Sequence, residues 1–242
     1  MSTMRRVEVA QAWVLHSRPF RETSLIVEAF SRDYGRMGLV ARGGRRPRSS
    51  LALAAQPFRR LYLSWTGRGE LATLTRAESA REEAGHTLPA GDRLFAAMYL
   101  NELLLRMTRR EDPHPELFDH YSIALSGLCS GDSLEPVLRC FELNLLASLG
   151  FGLNLESDIE GRALKPETAY CYRMEHGAES LPAGAKPGEA MNFLGAELMG
   201  VANQDWDGRD IRRAARRLLK YAIDYYLEGR PLNTRKVFAA MQ

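Results

Sequence analysis

The chain has 242 residues and a mass of 27.2 kDa, enough for one large domain or two modest ones. Hydrophobic residues make up 45% and charged residues 26%, which excludes disordered, collagen-like and simple fibrous classes. No apolar run reaches the roughly 18 residues of a membrane-spanning helix, and the first residues lack the apolar core of a secretion signal. We therefore predict a cytoplasmic protein whose three cysteines, which form no C-x-x-C pattern, are reduced thiols.

The charge is distributed unevenly along the chain, although the formal total is only +3. Residues 1–80 contain 14 arginines, no lysine and six acidic residues, which is a net charge of +8. Residues 81–242 contain 19 basic and 24 acidic residues, a net charge of −5. Such asymmetry predicts that the first part of the chain binds a polyanion.

The first eighty residues are typical of β-structure. Apolar and polar residues alternate or branched residues cluster in five short segments, which predicts strands over residues 7–16, 24–30, 37–41, 58–65 and 70–75. Turn residues separate these segments, and no connection contains a helix that would allow parallel pairing. The pattern predicts a small antiparallel β-barrel with most of its aromatic residues directed inward.

The period of the apolar residues becomes helical after Gly85. Helices are predicted over residues 92–109, 115–128, 133–149, 191–199 and 207–227, with a last turn or two over 234–241. Residues 151–187 lack this period and are predicted to be irregular, with short strand-like pieces at 170–172. We therefore predict an α+β protein with a barrel domain over residues 1–82 and a helical bundle domain over 83–242.

The segment after the third predicted strand contains four arginines within seven residues, and no acidic residue lies nearby in the sequence to pair with them. Guanidinium groups bind phosphate oxygens in a fork, and the neighbouring glycines allow backbone N–H groups to approach a ligand. Phosphate contacts of this kind would hold a nucleic-acid strand without reading its bases. The predicted interface consists of the loop residues Arg42, Arg45, Arg46 and Arg48, the barrel residues Arg32, Arg36, Arg59 and Arg60, and the possible stacking residues Tyr34 and Tyr62.

A second basic row lies on the last long helix. Helical spacing places Arg209, Arg213, Arg216 and Lys220 on one face, while Ile211, Ala215, Leu218, Leu219 and Ile223 face the bundle. This row is either the solvated side of an amphipathic helix or a second anion-binding surface. An acidic peptide is one ligand that such a surface would take.

Motifs of catalysis are absent from the sequence: it contains no G-x-x-x-x-G-K-[ST], no G-x-S-x-G and no H-E-x-x-H. We therefore predict that the chain is not an enzyme and needs no cofactor. Two alternatives remain open at this point. One is a metal-dependent nuclease that uses Asp92, Glu102 and Asp112, and the other is an RNA-binding barrel protein.

Several strings, taken together and in this order, resemble the bacterial recombination mediator family RecO between about residues 7 and 235. They are Ala12–Leu25, Gly35-Arg36 with Leu39–Gly43, Gln56–Phe58, Gly67–Leu71, Tyr99–Leu103, and Arg139–Leu143 leading to Leu149–Phe151. The resemblance implies an N-terminal OB-fold, a helical C-terminal domain, and binding and annealing of single- and double-stranded DNA. It also implies three protein partners: RecR, the acidic C-terminal tail of the single-strand binding protein SSB and, functionally, RecA. A nucleoid-associated cytoplasmic location follows from these roles.

The sequence departs from the family pattern at one place. Many members of the family hold zinc with four cysteines in the irregular part of the second domain, whereas here residues 156–161 contain no cysteine and Cys171 stands alone. We therefore predict no structural zinc and a degenerate zinc-finger region over 151–187. For the SSB tail, the first candidate is Arg139, and the second is the row that includes Arg212, Arg213, Arg216 and Lys220.

Overall fold

A computed structural model describes residues 5–67, 70–80, 88–182 and 191–235. The chain forms two compact units. The first takes the chain up to Asp132 and again from Asn233, and the second takes Ser133–Leu232. The boundary between the units lies after the second α-helix, whereas the predicted domain boundary at residue 82 lies before the first. An independently folding barrel over residues 1–82 therefore stays a prediction.

The first unit is built on a five-stranded barrel, as predicted. Its strands are β1 (Arg5–Phe20), β2 (Ser24–Ser31), β3 (Gly35–Ala41), β4 (Arg60–Gly67) and β5 (Ala72–Ser79). The barrel closes in the order β1-β2-β3-β5-β4, so that β1 pairs with both β2 and β4. The register of β1 shifts between Val14 and His16 and between Val7 and Ala10, as β-bulges do where a long strand bends around a barrel.

One strand pairing differs from the prediction of an antiparallel barrel. Strands β3 and β5 are parallel, with Leu39 opposite Ala72 and Ala41 opposite Leu74. The connection between them contains a short 3-10 helix (Ala52–Ala55) and the whole of β4, so an intervening strand takes the place of the crossover helix.

The barrel interior holds aliphatic residues and one tryptophan. Val27, Leu39, Leu61 and Leu63 are fully buried there together with Trp65, and burial of each such side chain contributes about 1.5–3 kcal/mol. The prediction that most aromatic residues point inward was wrong. Phe20 and Phe58 are half-buried and are not part of the barrel core, and neither are the buried Trp13 and Phe30. The latter two lie on the outer side of the barrel because β1 and β2 are covered on that side as well.

Two helices, α1 (Asp92–Met107) and α2 (Pro115–Ser130), provide that cover. The indole Nε1 of Trp13 donates a hydrogen bond of 2.9 Å to Ser122 Oγ, and the ring of Phe30 packs on Phe118 with centroids 5.9 Å apart. The buried Asn101 donates to the carbonyl of Leu15 over 2.6 Å. The first unit therefore consists of a barrel and two helices that share a core.

The described residues of the second unit form three helices and a small sheet. The helices are α3 (Leu134–Ser148), α4 (Gly195–Ala202) and α5 (Arg209–Tyr226). The strands β6 (Ala169–Arg173), β7 (Gly177–Ser180) and β8 (Asn192–Leu194) pair antiparallel in the order β7-β6-β8. The segment predicted to be irregular thus contains a β-hairpin, and β8 replaces the start of the helix predicted over 191–199. The predicted α+β class is confirmed.

Candidate nucleic-acid interface

The loop that follows β3 exposes four arginines to solvent: Arg42, Arg45, Arg46 and Arg48. Within the part of the chain that the structure describes, none of these four guanidinium groups makes an ion pair. The arginine loop, as we call residues 42–50, therefore carries charge that the described fold does not neutralise.

The backbone of the arginine loop is ordered by consecutive turns. Gly44 N–H donates to the carbonyl of Ala41 over 3.2 Å, Arg46 N–H to Gly43 over 3.0 Å, and Ser49 N–H to Arg46 over 3.1 Å. Gly43 has a φ of 71°, a conformation that a glycine adopts without strain. These turns fix the positions from which the arginine side chains start.

The same loop is attached to the turn between β1 and β2. Arg45 N–H donates to the carbonyl of Thr23 over 2.9 Å, and the Arg45 guanidinium donates to the carbonyl of Glu22 over 3.2 Å. Gly44 is buried, and a Cβ there would lie 3.2 Å from the side chains of Ala41 and Leu25. The two segments therefore pack closely and hold each other in place.

A groove of about 540 Å³ lies between these segments and the outer faces of β3 and β5. Three cations line it (Arg21, Arg42 and Arg46), with three hydroxyl groups (Thr23, Ser24 and Thr73) and the ring of Phe20. No carboxylate is found among the described residues that line this basic groove. The Arg21 guanidinium lies over the Phe20 ring, 5.2 Å from its centroid, which joins a cation to an aromatic face at one edge.

The basic groove lies on the face of the barrel where OB-folds bind their ligands. In an OB-fold the face around strands 2 and 3, together with the β1–β2 and β4–β5 loops, is where oligonucleotides bind. The basic groove takes Arg21 and Thr23 from the β1–β2 turn and Leu71 from the residues that lead into β5. Guanidinium groups, hydroxyl groups and an aromatic ring at this face are the chemistry that binds the backbone and bases of a nucleic acid.

Two other predicted interface arginines are held in ion pairs. Arg32 makes two hydrogen bonds to the Asp119 carboxylate, of 3.1 and 3.4 Å, and this contact raises the pKa of its guanidinium. Arg36 is largely buried, donates to Glu28 over 3.0 Å and to the carbonyl of Thr108 over 3.1 Å. Arg32 therefore attaches the barrel to α2. Arg36 attaches β3 to β2 and to Thr108, the residue that follows α1.

The remaining predicted barrel residues are half-buried and lie apart from the arginine loop's groove. Arg59 donates to Gln56 over 3.1 Å, and Arg60 lies 5.8 Å from the centroid of the Phe118 ring. Tyr34 packs edge-on against Trp65 with ring centroids 5.2 Å apart, and the Tyr62 hydroxyl accepts from Gln11 at 3.4 Å. Of the ten predicted residues, the groove brings together Arg42 and Arg46, and DNA contact by the others stays a prediction.

The acidic residues considered for a nuclease do not converge. Glu102 accepts hydrogen bonds from the main-chain N–H groups of Asn233 and Thr234 and from the Thr234 hydroxyl, at 2.8 to 2.9 Å. Burial raises the pKa of Glu102, but these hydrogen bonds outweigh it and lower the pKa overall. Asp92 opens α1, while Asp112 lies 3.4 Å from His114. Across the described ranges, no group of three or more His, Cys, Asp or Glu residues is arranged to hold a metal ion.

In the second unit the predicted basic residues fall into two groups. Arg139 is 11% exposed and pairs with the buried Glu142 at 2.8 Å, Arg212 donates to the carbonyl of Asp207 over 2.9 Å, and Arg216 pairs with Glu135 at 2.8 Å. By contrast, Arg213 and Lys220 are exposed, and no ion pair involving either is found among the described residues. The row is therefore divided between cations that are paired within the unit, of which Arg216 is still exposed, and cations without an ion pair among the described residues.

Comparison with known protein families gives two family models that match the N-terminal and the C-terminal parts of the chain. The family model described as "Recombination protein O N terminal" matches residues 4–82, and the one described as "Recombination protein O C terminal" matches residues 88–236. The chain belongs to the RecO family. This membership places it among the DNA-binding proteins of DNA repair and recombination, and confirms the family resemblance that the sequence motifs indicated.

Individual RecO relatives match over nearly their whole length. The "DNA repair protein RecO" of Dechloromonas aromatica is 43% identical over 100% of this chain and 99% of its own. The proteins of the same name from Alkalilimnicola ehrlichii and Pseudomonas aeruginosa are 45% and 44% identical, over 96% and 95% of this chain and 91% and 94% of theirs. Their names denote a DNA repair protein. In the described part of this chain, no helix is long and apolar enough to cross a membrane.

The structure adds two residues to the candidate interface that the sequence did not single out, Arg21 and Phe20. The sequence does contain an indication of their role, because an aromatic and a basic residue are adjacent at a predicted turn between two strands. What the sequence does not reveal is that the arginine loop returns to this turn.

The region for which the family resemblance implies a zinc site in many members contains a buried carboxylate in this chain. Asp158 is 6% exposed, and its carboxylate accepts from the N–H groups of Glu160 and Arg162 at 2.9 and 3.0 Å and from Arg162 Nε at 2.9 Å. Burial raises the pKa of Asp158, but the contacts with Arg162 and Glu160 outweigh it and lower the pKa overall. The absence of structural zinc stays a prediction.

Proposed function

We propose that this protein is a recombination mediator that binds single- and double-stranded DNA through the basic groove of its barrel and anneals complementary strands. It works by binding alone, without bond-breaking chemistry and without a cofactor. The observation that carries the proposal is the set of exposed arginines in the arginine loop, which the β1–β2 turn holds beside the ligand-binding face of an OB-fold.

The physical argument concerns phosphate repulsion. Two complementary strands repel each other, and cations that neutralise phosphates on both strands reduce that repulsion while leaving the bases free to pair. The guanidinium groups of the basic groove approach backbone phosphates, whereas the Phe20 ring offers a surface on which an unpaired base stacks. None of these contacts depends on base identity, which suits a protein that acts on any sequence.

We propose that this protein acts together with three other proteins. RecR binds the mediator, the acidic tail of SSB recruits it to coated single strands, and the resulting complex helps RecA to displace SSB. For the SSB tail the candidates remain Arg139 and the row that includes Arg216. Arg139 reaches a peptide only by exchanging its contact with Glu142, so titration of a labelled tail peptide against Arg139→Ala and Arg216→Ala separately decides between the two.

The direct test of the groove is salt-dependent binding of labelled single strands. Replacement of Arg42, Arg45, Arg46 and Arg48 by Ala should weaken binding equally for unrelated sequences. It should also reduce the steepness of the log–log salt dependence by up to about 2, since Arg42, Arg46 and Arg48 each contact a phosphate and each such contact on a single strand contributes about 0.7. The charge control is Arg6→Ala, Arg76→Ala and Arg109→Ala, three exposed arginines of the same unit outside the groove. Unchanged affinity and slope in the loop variant would remove the arginine loop from the interface, and tighter binding of RNA than of DNA would favour an RNA-binding role.

A further inference from the structure

The long helix α5 presents three cations along one line of its surface: Arg209, Arg213 and Lys220. At 100° per residue these positions lie within about 40° of one another, and they extend over about 16 Å of helix. All three side chains are exposed, and none has an ion pair within the described portion of the chain. We call these three residues the α5 stripe.

The other basic residues of α5 make hydrogen bonds or ion pairs with residues of the second unit. Arg212 donates to the carbonyl of Asp207, Arg216 pairs with Glu135, and Arg217 donates to the carbonyl of Asn192 over 2.7 Å. Arg217 also lies 4.2 Å from the centroid of the Phe193 ring. The second unit therefore pairs some of the α5 cations, including the exposed Arg216 of the same face, and leaves Arg209, Arg213 and Lys220 without an ion pair among the described residues, although residues 81–242 have a net charge of −5.

Two exposed aromatic rings lie on α5 away from the α5 stripe, about 80° to 160° around the helix axis from it. Tyr221 and Tyr225 are 40% and 44% exposed and lie one helical turn apart. Tyr225 packs edge-on against Tyr226, and Tyr226 stacks on Phe151 with ring centroids 4.1 Å apart. These contacts, and a hydrogen bond with Glu175, hold Tyr225 beside an acidic residue, so that the two tyrosines are not part of the face that carries the α5 stripe.

We propose that the α5 stripe is a second binding surface for a single nucleic-acid strand, separate from the basic groove of the barrel. The inference rests on the proposed function in one respect, since annealing requires one protein to hold two strands. On this account the basic groove holds one strand and the α5 stripe holds the phosphates of the other.

The arrangement favours a nucleic acid over an acidic peptide. Cations spaced along a helix match the repeated charges of a sugar–phosphate backbone. An acidic peptide with an apolar end requires an apolar floor beside the cations. The groove of about 360 Å³ in the second unit runs along α3, residues 152–156 and α4, and none of its described lining residues belongs to α5.

The test counts strands bound per chain with an oligothymidylate of about 12 nucleotides, a length within the site size of one OB-fold. Because this oligonucleotide cannot pair with itself, binding of a second copy reports a second site. The intact protein should bind two strands per chain. Arg209→Ala/Arg213→Ala/Lys220→Ala should bind one, and its overall salt dependence should be less steep by about 2. The matched control, Lys165→Ala/Arg173→Ala/Arg230→Ala, removes three exposed cations of the same unit outside α5 and should still bind two.

The possible results separate this inference from the proposed function. If the α5 variant binds two strands with an unchanged salt dependence, the inference is wrong, whatever the arginine-loop variant does. If the α5 variant binds two strands but no longer binds an Asp-rich peptide that the intact protein binds, the stripe is a peptide site and the inference is again wrong. If the α5 variant loses one strand while the arginine-loop variant binds normally, the inference holds and the groove assignment fails. Circular dichroism confirms that each variant is folded.

Discussion

The guanidinium group of Arg45 donates a hydrogen bond of 3.2 Å to the main-chain carbonyl of Glu22, and this contact joins the arginine loop to the turn between β1 and β2. Arg45 is therefore turned toward the protein, while Arg42 and Arg46 line the groove. One arginine of the cluster positions the loop, and its neighbours supply the charge that meets phosphate.

This division of roles predicts that Arg45→Met weakens single-strand binding without changing its salt dependence. Loss of one hydrogen bond of about 1 kcal/mol loosens the loop and lowers affinity about fivefold, but no phosphate contact is lost. Fluorescence anisotropy over a range of salt concentrations measures both quantities. Arg42→Met is the comparison, and it should reduce the slope by about 0.7. Equal slopes for these two variants, both below that of the intact protein, would show that Arg45 contacts phosphate itself.

Arg32 provides a second contrast, because its charge is already paired with Asp119. Arg32→Ala should change the salt dependence of DNA binding less than Arg42→Ala does, since a strand that binds Arg32 must first displace the carboxylate. The same anisotropy titration compares the two variants. A larger slope change for Arg32→Ala than for Arg42→Ala would show that Arg32 contacts phosphate, as the sequence predicted.

The ion-pair network around Glu28 predicts a large effect on stability. Glu28 binds Arg36 at 3.0 Å and also binds Arg110, and its side chain is only 15% exposed. Glu28→Gln leaves two partly buried guanidinium groups without their carboxylate, and should lower the free energy of unfolding by about 1–3 kcal/mol. The control is Glu78→Gln, which removes an exposed pair with Arg76 and should change stability by no more than about 1 kcal/mol. Urea unfolding of both variants gives the comparison, and equal losses would contradict it.

Asp158 predicts a pH dependence of stability in acid. Its folded-state pKa is lowered, so its stabilising contribution is complete above the unfolded-state pKa of about 3.9 and is lost as the pH falls through the folded-state value. Asp158→Asn should therefore lower the urea midpoint at neutral pH, and the difference from the intact protein should shrink below about pH 4. Glu160→Gln, which removes an exposed partner of Arg162, serves as the control. A difference that stays constant down to pH 2 would show that the charge of Asp158 contributes nothing.

The sequence predicted the barrel well because alternation and turn residues are local signals. It did not predict the parallel pairing of β3 and β5, which depends on how the closed sheet is completed. Trp13 was misplaced because β1 and β2 are buried on both sides, so that alternation no longer separates core from surface.

The sequence predicted the arginine loop of the candidate interface, but it did not predict the residues that the fold brings to the loop or the ion pairs that other arginines make. Four arginines without nearby acids marked the arginine loop. The partner of Arg32, however, is Asp119 on α2, and no local pattern connects residues so far apart. The contact between Arg45 and Glu22 is equally non-local, which is why Arg21 and Phe20 escaped notice. The Arg139–Glu142 pair, in contrast, spans one helical turn and was readable from its spacing.

The central claim, that the basic groove makes this protein a recombination mediator, is tested most directly by annealing of complementary oligonucleotides coated with SSB. The rate should rise when the intact protein is added, and the rise should be absent with Arg21→Ala/Arg42→Ala/Arg46→Ala and retained with the Arg6→Ala/Arg76→Ala/Arg109→Ala control. The account is contradicted if the intact protein does not accelerate annealing, or if the groove variant accelerates it as well as the intact protein does.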